Sequence, residues 1–241
     1  MADPYDNYAE NHLRRISTTR TRTSKQQAFL ENYSDALPVD KSASILEIGP
    51  GLGETAELLV EKLGYSGYSA IDISKDIVAL FSEKPEYRVS QVDDPIAYIE
   101  SQRGQYRLIL LLHVLEHVPR HLVVPLLKAC HQALTPDGEL VVEVPNVANP
   151  YVGSAFAFGD FTHETAFTST SLREVFGSAG FDPVRVVPVR VPLVSISRRI
   201  QHFLQALFIS IHRLIANIYM PSSVPLLSHF IAARGKKRNQ K

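Results

Sequence analysis

The sequence predicts an α/β domain on a doubly wound, mostly parallel sheet of seven strands. Three observations predict it. Strand-like runs alternate with helical patterns from residue 43 onward, the first run ends in the glycine-rich turn LEIGPGLGE, and the runs SILEI and ILLLHV are nearly continuous in apolar residues. Strands of a parallel sheet, buried on both faces by crossover helices, have that last character. The length of 241 residues and 45% hydrophobic content favour one domain with appendages over two equal domains, since a domain typically holds roughly 100–200 residues.

Residues 1–40 read as an N-terminal helical cap: a polar start containing RRISTTRTRTS, then a helical pattern from Lys25 to Ala36 that stops before Pro38. The domain proper, 41–241, opens with a strand at Ala43–Ile48 and a helix at Glu54–Leu63. Strand Tyr68–Ile73, helix Lys75–Ser82, strand Tyr87–Val92 and helix Pro95–Ser101 follow, then strand Tyr106–Leu112, helix Pro119–Leu134 and strand Glu139–Val144. Pro145–Thr168 is irregular and rich in Gly, Phe, Asn and Tyr, as an active-site lid would be; a helix at Ser169–Ala179 ends at Gly180. Val184–Val189 and Leu227–Ala233 read as the sixth and seventh strands.

Residues 190–226, between those last two strands, form an insertion. Ile200, Phe203, Leu204, Leu207, Phe208, Ile211, Leu214, Ile215 and Ile218 recur at helical spacing there, opposite Arg199, His202, Gln205, His212, Arg213 and Asn217. The polar face argues against a membrane span and for an amphipathic helix lying on an anionic membrane surface through 198–219, on the body, or on a second subunit of a homodimer.

The formal net charge is zero, so total charge gives no argument for nucleic acid. Its distribution is uneven: Pro183–Lys241 carries +10 with no Asp or Glu, and the rest carries −10. An acidic body with a basic C-terminal region fits an anionic surface as partner, or a tail folded onto its own body. A single Cys, Cys130, and the absence of an apolar run in MADPYDNYAENHLRR point to a reduced, cytoplasmic setting, peripheral on the inner face of a membrane if the amphipathic helix binds there.

The chemistry concentrates at strand ends. LEIGPGLGE has the spacing G-x-G-x-G after Glu47, whereas a dinucleotide site wants G-x-G-x-x-G. Asp72 ends the second strand in YSAIDIS, where it would accept from a ribose diol or serve as a helix-start carboxylate near Ser74. Asp93 and Asp94 end the third strand in QVDDP, and one of the two is free to cap the next helix. LLLHVLEHV follows the fourth strand, and LTPDGELVVEVPN turns into the fifth with Asp137-Gly138 at the turn.

In this order the motifs resemble class I S-adenosylmethionine-dependent methyltransferases over about Ala43–Val189, and GDFTHETAFTSTSLREVFGSAGF resembles their sequence between lid and following helix. The resemblance implies a Rossmann-like sheet and S-adenosyl-L-methionine as cofactor. Glu47, Gly49, Pro50, Gly51 and Gly53 would surround its amino-acid end, Asp72 and Ile73 its ribose, Asp93 or Asp94 its adenine, and His113 and Val114 would border it. His117 and His163 are the candidate general bases, one after the fourth strand and one on the lid; His117 would otherwise orient a loop, and His163 would pair with Glu164 or Asp160. No metal site is expected, because His113 precedes the helix on which it would have to share a face with His117.

The expected reaction is methyl transfer to a hydroxyl of a sugar or lipid-linked glycan, since the lid resembles methyltransferases of bacterial surface-polysaccharide pathways and the amphipathic helix would bring the site to a bilayer. Alternatives are a soluble methyltransferase of a small molecule, such as a quinone or secondary metabolite, and a cofactor-binding module without catalysis. Nucleic-acid methylation is disfavoured despite the basic end GKKRNQK, because no N-P-P-[YF] segment follows the fourth strand.

Overall fold

A computed structural model describes residues 19–192, 196–219 and 226–238. Most of the polar start expected for the cap (1–18), parts of the insertion (193–195 and 220–225) and the last three residues of the basic end lie outside them.

Seven strands form one sheet in the order β3-β2-β1-β4-β5-β7-β6. They are β1 (Ile45–Ile48), β2 (Tyr68–Asp72), β3 (Val89–Gln91), β4 (Tyr106–Leu112), β5 (Leu134–Pro145), β6 (Val184–Pro188) and β7 (Phe230–Lys236). The first five are mutually parallel, while β7 runs antiparallel to β5 and β6. The chain order reverses between β1 and β4, the switch point at whose strand ends ligands of open α/β sheets bind.

The helices are α1 (Thr19–Tyr33), α2 (one α turn, Glu54–Ala56, widening into a π turn, Glu57–Lys62), α3 (Lys75–Ala79), α4 (Pro95–Ser101), α5 (Arg120–Ala133), α6 (Gly153–Phe158), α7 (Ser169–Ser178) and α8 (Ile196–Tyr219). The continuous apolar run of β4 is split between two cores by the alternation of side chains along a strand. Leu108 and Leu110 join Phe29, Tyr33, Leu58, Leu59 and Tyr68 on one face. Ile109 and Leu111 join Leu126, Leu127, Val142, Phe176 and Phe181 on the other.

Several elements differ from expectation: the cap helix, read from Lys25, starts at Thr19, and β1, read from Ala43, starts at Ile45. Strand β3 starts two residues late because Tyr87 sits in a short 3-10 turn, buried, with its hydroxyl on Glu61. The seventh strand was expected at Leu227–Ala233 but runs through Arg234 to Lys236. Polar Arg234 is tolerated because its guanidinium binds Glu139 at 2.6 Å and Asp35 at 2.7 Å. Strand β5 begins five residues early, at Leu134, across the Asp137-Gly138 turn. The lid contains the helix α6, whose short sequence GSAFAF has too few turns to show a period.

The insertion helix forms as the periodicity predicts, but its apolar face is uncovered: Phe203, Leu214 and Ile218 are 68%, 71% and 76% exposed. Gln205, Ile209, His212 and Ala216 are its half-buried residues, and Tyr151 of the lid touches Phe208 and His212. No described helix is long and apolar enough to cross a membrane.

Candidate active site

A cavity of about 1410 Å³ opens over the C-terminal ends of β1, β2, β4 and β5, walled by the start of α2, the lid and the cap helix α1. Its volume exceeds the ~300–1,000 Å³ usual for one drug-sized ligand, leaving room for two reactants. Helix α1 is fastened by Lys25 to Glu54 at 2.8 Å, by Arg22 to Glu57 at 2.9 Å and by buried Gln26 to the Glu54 carbonyl at 3.0 Å.

All expected cofactor residues except Gly53 line this cavity. Gly49, Gly51 and Gly53 have φ of +72°, +53° and +77°, a left-handed backbone that glycine adopts without strain. A Cβ at Gly49 would lie 2.6 Å from Val114, and at Gly53 2.6 Å from Phe81, whereas at Gly51 it would meet nothing within 4 Å. Gly49 and Gly53 therefore lack side chains so that the loop can pack on its own protein, and Gly51 alone keeps its backbone open to a ligand.

Asp72 ends β2 and accepts from the Ser74 amide at 2.8 Å. Burial raises its carboxyl to about 6, against the pull of the Ser74 and Ile73 amides. Ser74, not Asp72, caps α3. The two adjacent acids divide: Asp94 caps α4 through the Ala97 amide, while Asp93 holds Gln91 Nε2 at 2.8 Å. Glu47 is nearly sealed beneath the loop with the Tyr68 hydroxyl on its Oε2, and burial, only partly offset by Tyr68 and Thr55, raises it to about 7.

The β4 side is built differently. His113, at φ +58°, closes β4 between two carboxylates, with Nε2 3.1 Å from Glu143 and Nδ1 3.5 Å from Glu116. Enclosure by protein would lower its pKa, but these two partners outweigh that and hold it at about 10. Glu143 also accepts from the hydroxyl of buried Tyr33, so the cap helix reaches the strand end. His113 stacks edge-on against Phe230, which lies parallel to Phe156 of the lid, giving this half an apolar wall.

The 3-10 turn Leu115–His117 fastens the lid. The Glu116 carbonyl accepts from the amides of Glu164 and Thr165 at 2.8 and 3.0 Å, and the Thr165 hydroxyl donates to the Val118 carbonyl at 2.9 Å. His117 Nδ1 lies 2.8 Å from the Thr162 hydroxyl, which donates to Asp160 at 2.7 Å; His163 Nδ1–H donates to the Phe156 carbonyl at 2.7 Å. The two imidazoles meet edge to face, centroids 4.7 Å apart. Burial lowers the His117 pKa, with Glu116 and Asp160 pulling the other way. Asn146 and Asn149 tie the lid's base to the carbonyls of Leu226, Leu227 and Ser228.

The structure thus unites His117 with His163 across 46 positions of chain and adds Glu116, Glu143, Tyr33 and Thr162, which sequence reasoning did not single out. Glu116 is adjacent to His117 in LLLHVLEHV and was available to local inspection; Thr162 is not, because only the folded lid brings it there. Glu116, His117 and His163 present side-chain donors within 4.8 Å of one another, a grouping that no local spacing announces.

An adenosyl sulfonium fits the β1–β3 half: an uncovered glycine backbone at Gly51, a carboxylate at the end of β2, and further carboxylates where adenine would reach. When bound, it supplies an electrophilic methyl group. The fold has matching solved structures. A SAM-dependent methyltransferase from Archaeoglobus fulgidus is 20% identical, with 90% of this chain and 94% of that one covered, at a TM-score of 0.66. A possible histamine N-methyltransferase from Thermotoga maritima is 14% identical, with 98% and 100% covered, at 0.64. Haemonchus contortus phosphoethanolamine N-methyltransferase 2, solved with S-adenosyl-L-methionine, is 14% identical, with 99% and 61% covered, at 0.65. Residues 18–186 match the family described as methyltransferase domain. The chain belongs to that family and is a class I S-adenosylmethionine-dependent methyltransferase.

Proposed function

We propose that the methyl group goes to a hydroxyl of a sugar or lipid-linked glycan. The observation that carries this reading is the His117–His163 pair, set on the β4 side of the cavity beside the lid, where an acceptor would lie opposite the cofactor loop. An alcohol is a poor nucleophile until its proton is taken, and imidazole near neutral pH is suited to that task. His117 and His163 activate the hydroxyl, the lid excludes water, and Asp72 with the glycine loop holds the methyl donor for in-line attack.

Among the described residues that line the cavity, Lys25 is the one Lys or Arg, and it is engaged by Glu54. The other cation of the lining, His113 held at about 10, is engaged by Glu143 and Glu116, so the cavity's carboxylates already balance its cations, which favours an uncharged hydroxyl over a phosphorylated acceptor. The lipid side of the proposal rests on α8. Its uncovered apolar face lies beside the lid, where Phe158 and Phe161 are also exposed, at 85% and 99%, and the C-terminal region carries no acid. Such a surface suits peripheral contact with an anionic bilayer at the inner face of a membrane.

The test is incubation with methyl-labelled donor and separate sugar, lipid-linked glycan and quinone fractions. Label in the glycan fraction, reduced in His163→Ala, supports the reading. Label confined to quinones moves the protein to the small-molecule alternative, and none in any fraction removes the glycan reading. Flotation with anionic vesicles tests α8: failure to float, with dimers by light scattering, would place a second subunit on that face.

A further inference from the structure

We propose that Glu116, His117 and His163 bind a divalent transition-metal ion, of the class of Zn²⁺, Mn²⁺ or Co²⁺, that holds the acceptor's hydroxyl oxygen. The inference rests on the hydroxyl-acceptor reading and says how that site activates its substrate: the two imidazoles act through the ion they hold rather than as bases.

Three observations lead to it. First, one carboxylate oxygen and one nitrogen from each imidazole already lie within 4.8 Å of one another. Donors bound to one ion at about 2.1 Å sit roughly 3–4 Å apart, so side-chain shifts of about an ångström complete the site. Two imidazoles and a carboxylate suit first-row transition ions, whereas Mg²⁺ and Ca²⁺ prefer all-oxygen sets.

Second, Glu116 is 3% exposed, and its Oε2 is buried with no hydrogen-bond partner. A buried carboxylate oxygen without a donor is costly, and a cation at the cluster would satisfy it. Its other oxygen is paired with His113 Nδ1 at 3.5 Å, which leaves Oε2 as the oxygen a cation would satisfy.

Third, each imidazole has one nitrogen on a second protein group, as metal-binding imidazoles usually do. The His163 Nδ1–H is donated to the Phe156 carbonyl. The Thr162 hydroxyl gives its hydrogen to Asp160, so its oxygen accepts from His117 Nδ1–H. Asp160, Thr162 and His117 thus form a relay of outer partners beside the cluster.

Three protein donors leave positions open for substrate, as in catalytic rather than structural sites. A hydroxyl held there loses its proton to water at lower pH than a free alcohol. Its oxygen then bonds to the methyl carbon while the carbon–sulfur bond breaks and its electron pair stays on sulfur, giving a methyl ether, a thioether and one proton.

The test is equilibrium dialysis of chelator-stripped, tag-free protein against Zn²⁺ or Co²⁺, with S-adenosylhomocysteine binding measured on the same samples. One ion per chain, with affinity at least tenfold weaker in Glu116→Gln and His163→Ala, supports the site. Thr162→Val keeps all three ligands and should weaken binding by about 10–100-fold, as loss of an outer partner does. Co²⁺ should add visible ligand-field bands that His163→Ala removes. Wild-type protein that binds S-adenosylhomocysteine but no stoichiometric ion, or binds an ion equally in all three variants, overturns the metal site and leaves the methyltransferase reading standing. An ion at the cluster without methyl transfer to any hydroxyl would sink that reading instead.

Discussion

The two halves of the cavity are made by different means. At the ends of β2 and β3 the carboxylates expected to meet the cofactor are held by neighbours close in sequence, Asp72 by the Ser74 amide, Asp94 by Ala97 and Asp93 by Gln91, while Glu47 in β1 reaches Tyr68 across 21 positions. At β4 and β5 the groups are held from far away: Glu143 by Tyr33 across 110 positions, His117 by Thr162 across 45. Local construction lets a short motif specify a constant ligand. On the proposed reading, long-range construction would leave the acceptor side adjustable through the lid and cap without disturbing the cofactor side.

If the halves are separable, damage to one should spare the other. The largest expected effect is His163→Ala, which should lower kcat by roughly 10²–10⁴-fold, as loss of a group that activates the nucleophile does. Affinity for S-adenosylhomocysteine by calorimetry should stay within about twofold, because on this reading the side chain lies on the other half. Weakened cofactor binding in this variant would break the division.

Next is Asp72→Ala. Two hydroxyl hydrogen bonds to a carboxylate are together worth about 3 kcal/mol or more, so the Kd for S-adenosylhomocysteine should rise by at least roughly 100-fold. The rate at saturating donor should fall little. A collapse of that rate as well would mean that Asp72 also positions the acceptor.

A smaller effect separates glycines within the cofactor half. Gly49→Ala and Gly51→Ala share the cost of a positive φ, but Gly49→Ala alone drives a methyl into Val114, at 2.6 Å. Urea unfolding should find Gly49→Ala less stable than Gly51→Ala by about 1–3 kcal/mol, the usual cost of overpacking. Gly51→Ala should instead weaken the cofactor. Equal stabilities would show that Val114 yields.

This division also explains what the sequence disclosed. Alternation of strands and helices, the glycine loop and the acids at the ends of β2 and β3 are local patterns, and they place the sheet and the residues that line the cavity at its β1–β3 side. The period of α8 was equally plain, but a period shows only that a face is apolar and not what covers it. Strand β7 was misplaced by three residues because Leu227 looks like a strand residue, whereas its carbonyl and that of Leu226 serve as anchors for Asn149 and Asn146. Arg234 looks unlike a sheet residue until Glu139 and Asp35 are beside it. The acceptor half was legible as two histidines with no geometry between them. Its carboxylates Glu116 and Glu143 take their meaning from His113 and the lid.

The smallest expected effect sharpens the comparison through pH. Burial puts the Asp72 carboxyl at about 6, so it is ionised and able to accept from two hydroxyls above that pH and loses this capacity as pH falls through it. Affinity for S-adenosylhomocysteine should therefore drop by about tenfold between pH 7 and pH 5, one decade per unit below the pKa. Buried Glu47, at about 7, titrates nearby, so Asp72→Asn is the control: its weaker binding should lose the Asp72 contribution to the pH slope. Stability of the unliganded fold should move the opposite way. A carboxyl whose pKa is raised on folding binds more protons in the native than in the unfolded state, so between pH 6 and its ordinary value near 3.8 its contribution strengthens as pH falls. Urea midpoints for wild type and Asp72→Asn across that window should differ with this sign. A difference of the reverse sign would mean that Asp72 is stabilised as the anion before any ligand arrives, and that the cofactor half is not poised by burial alone.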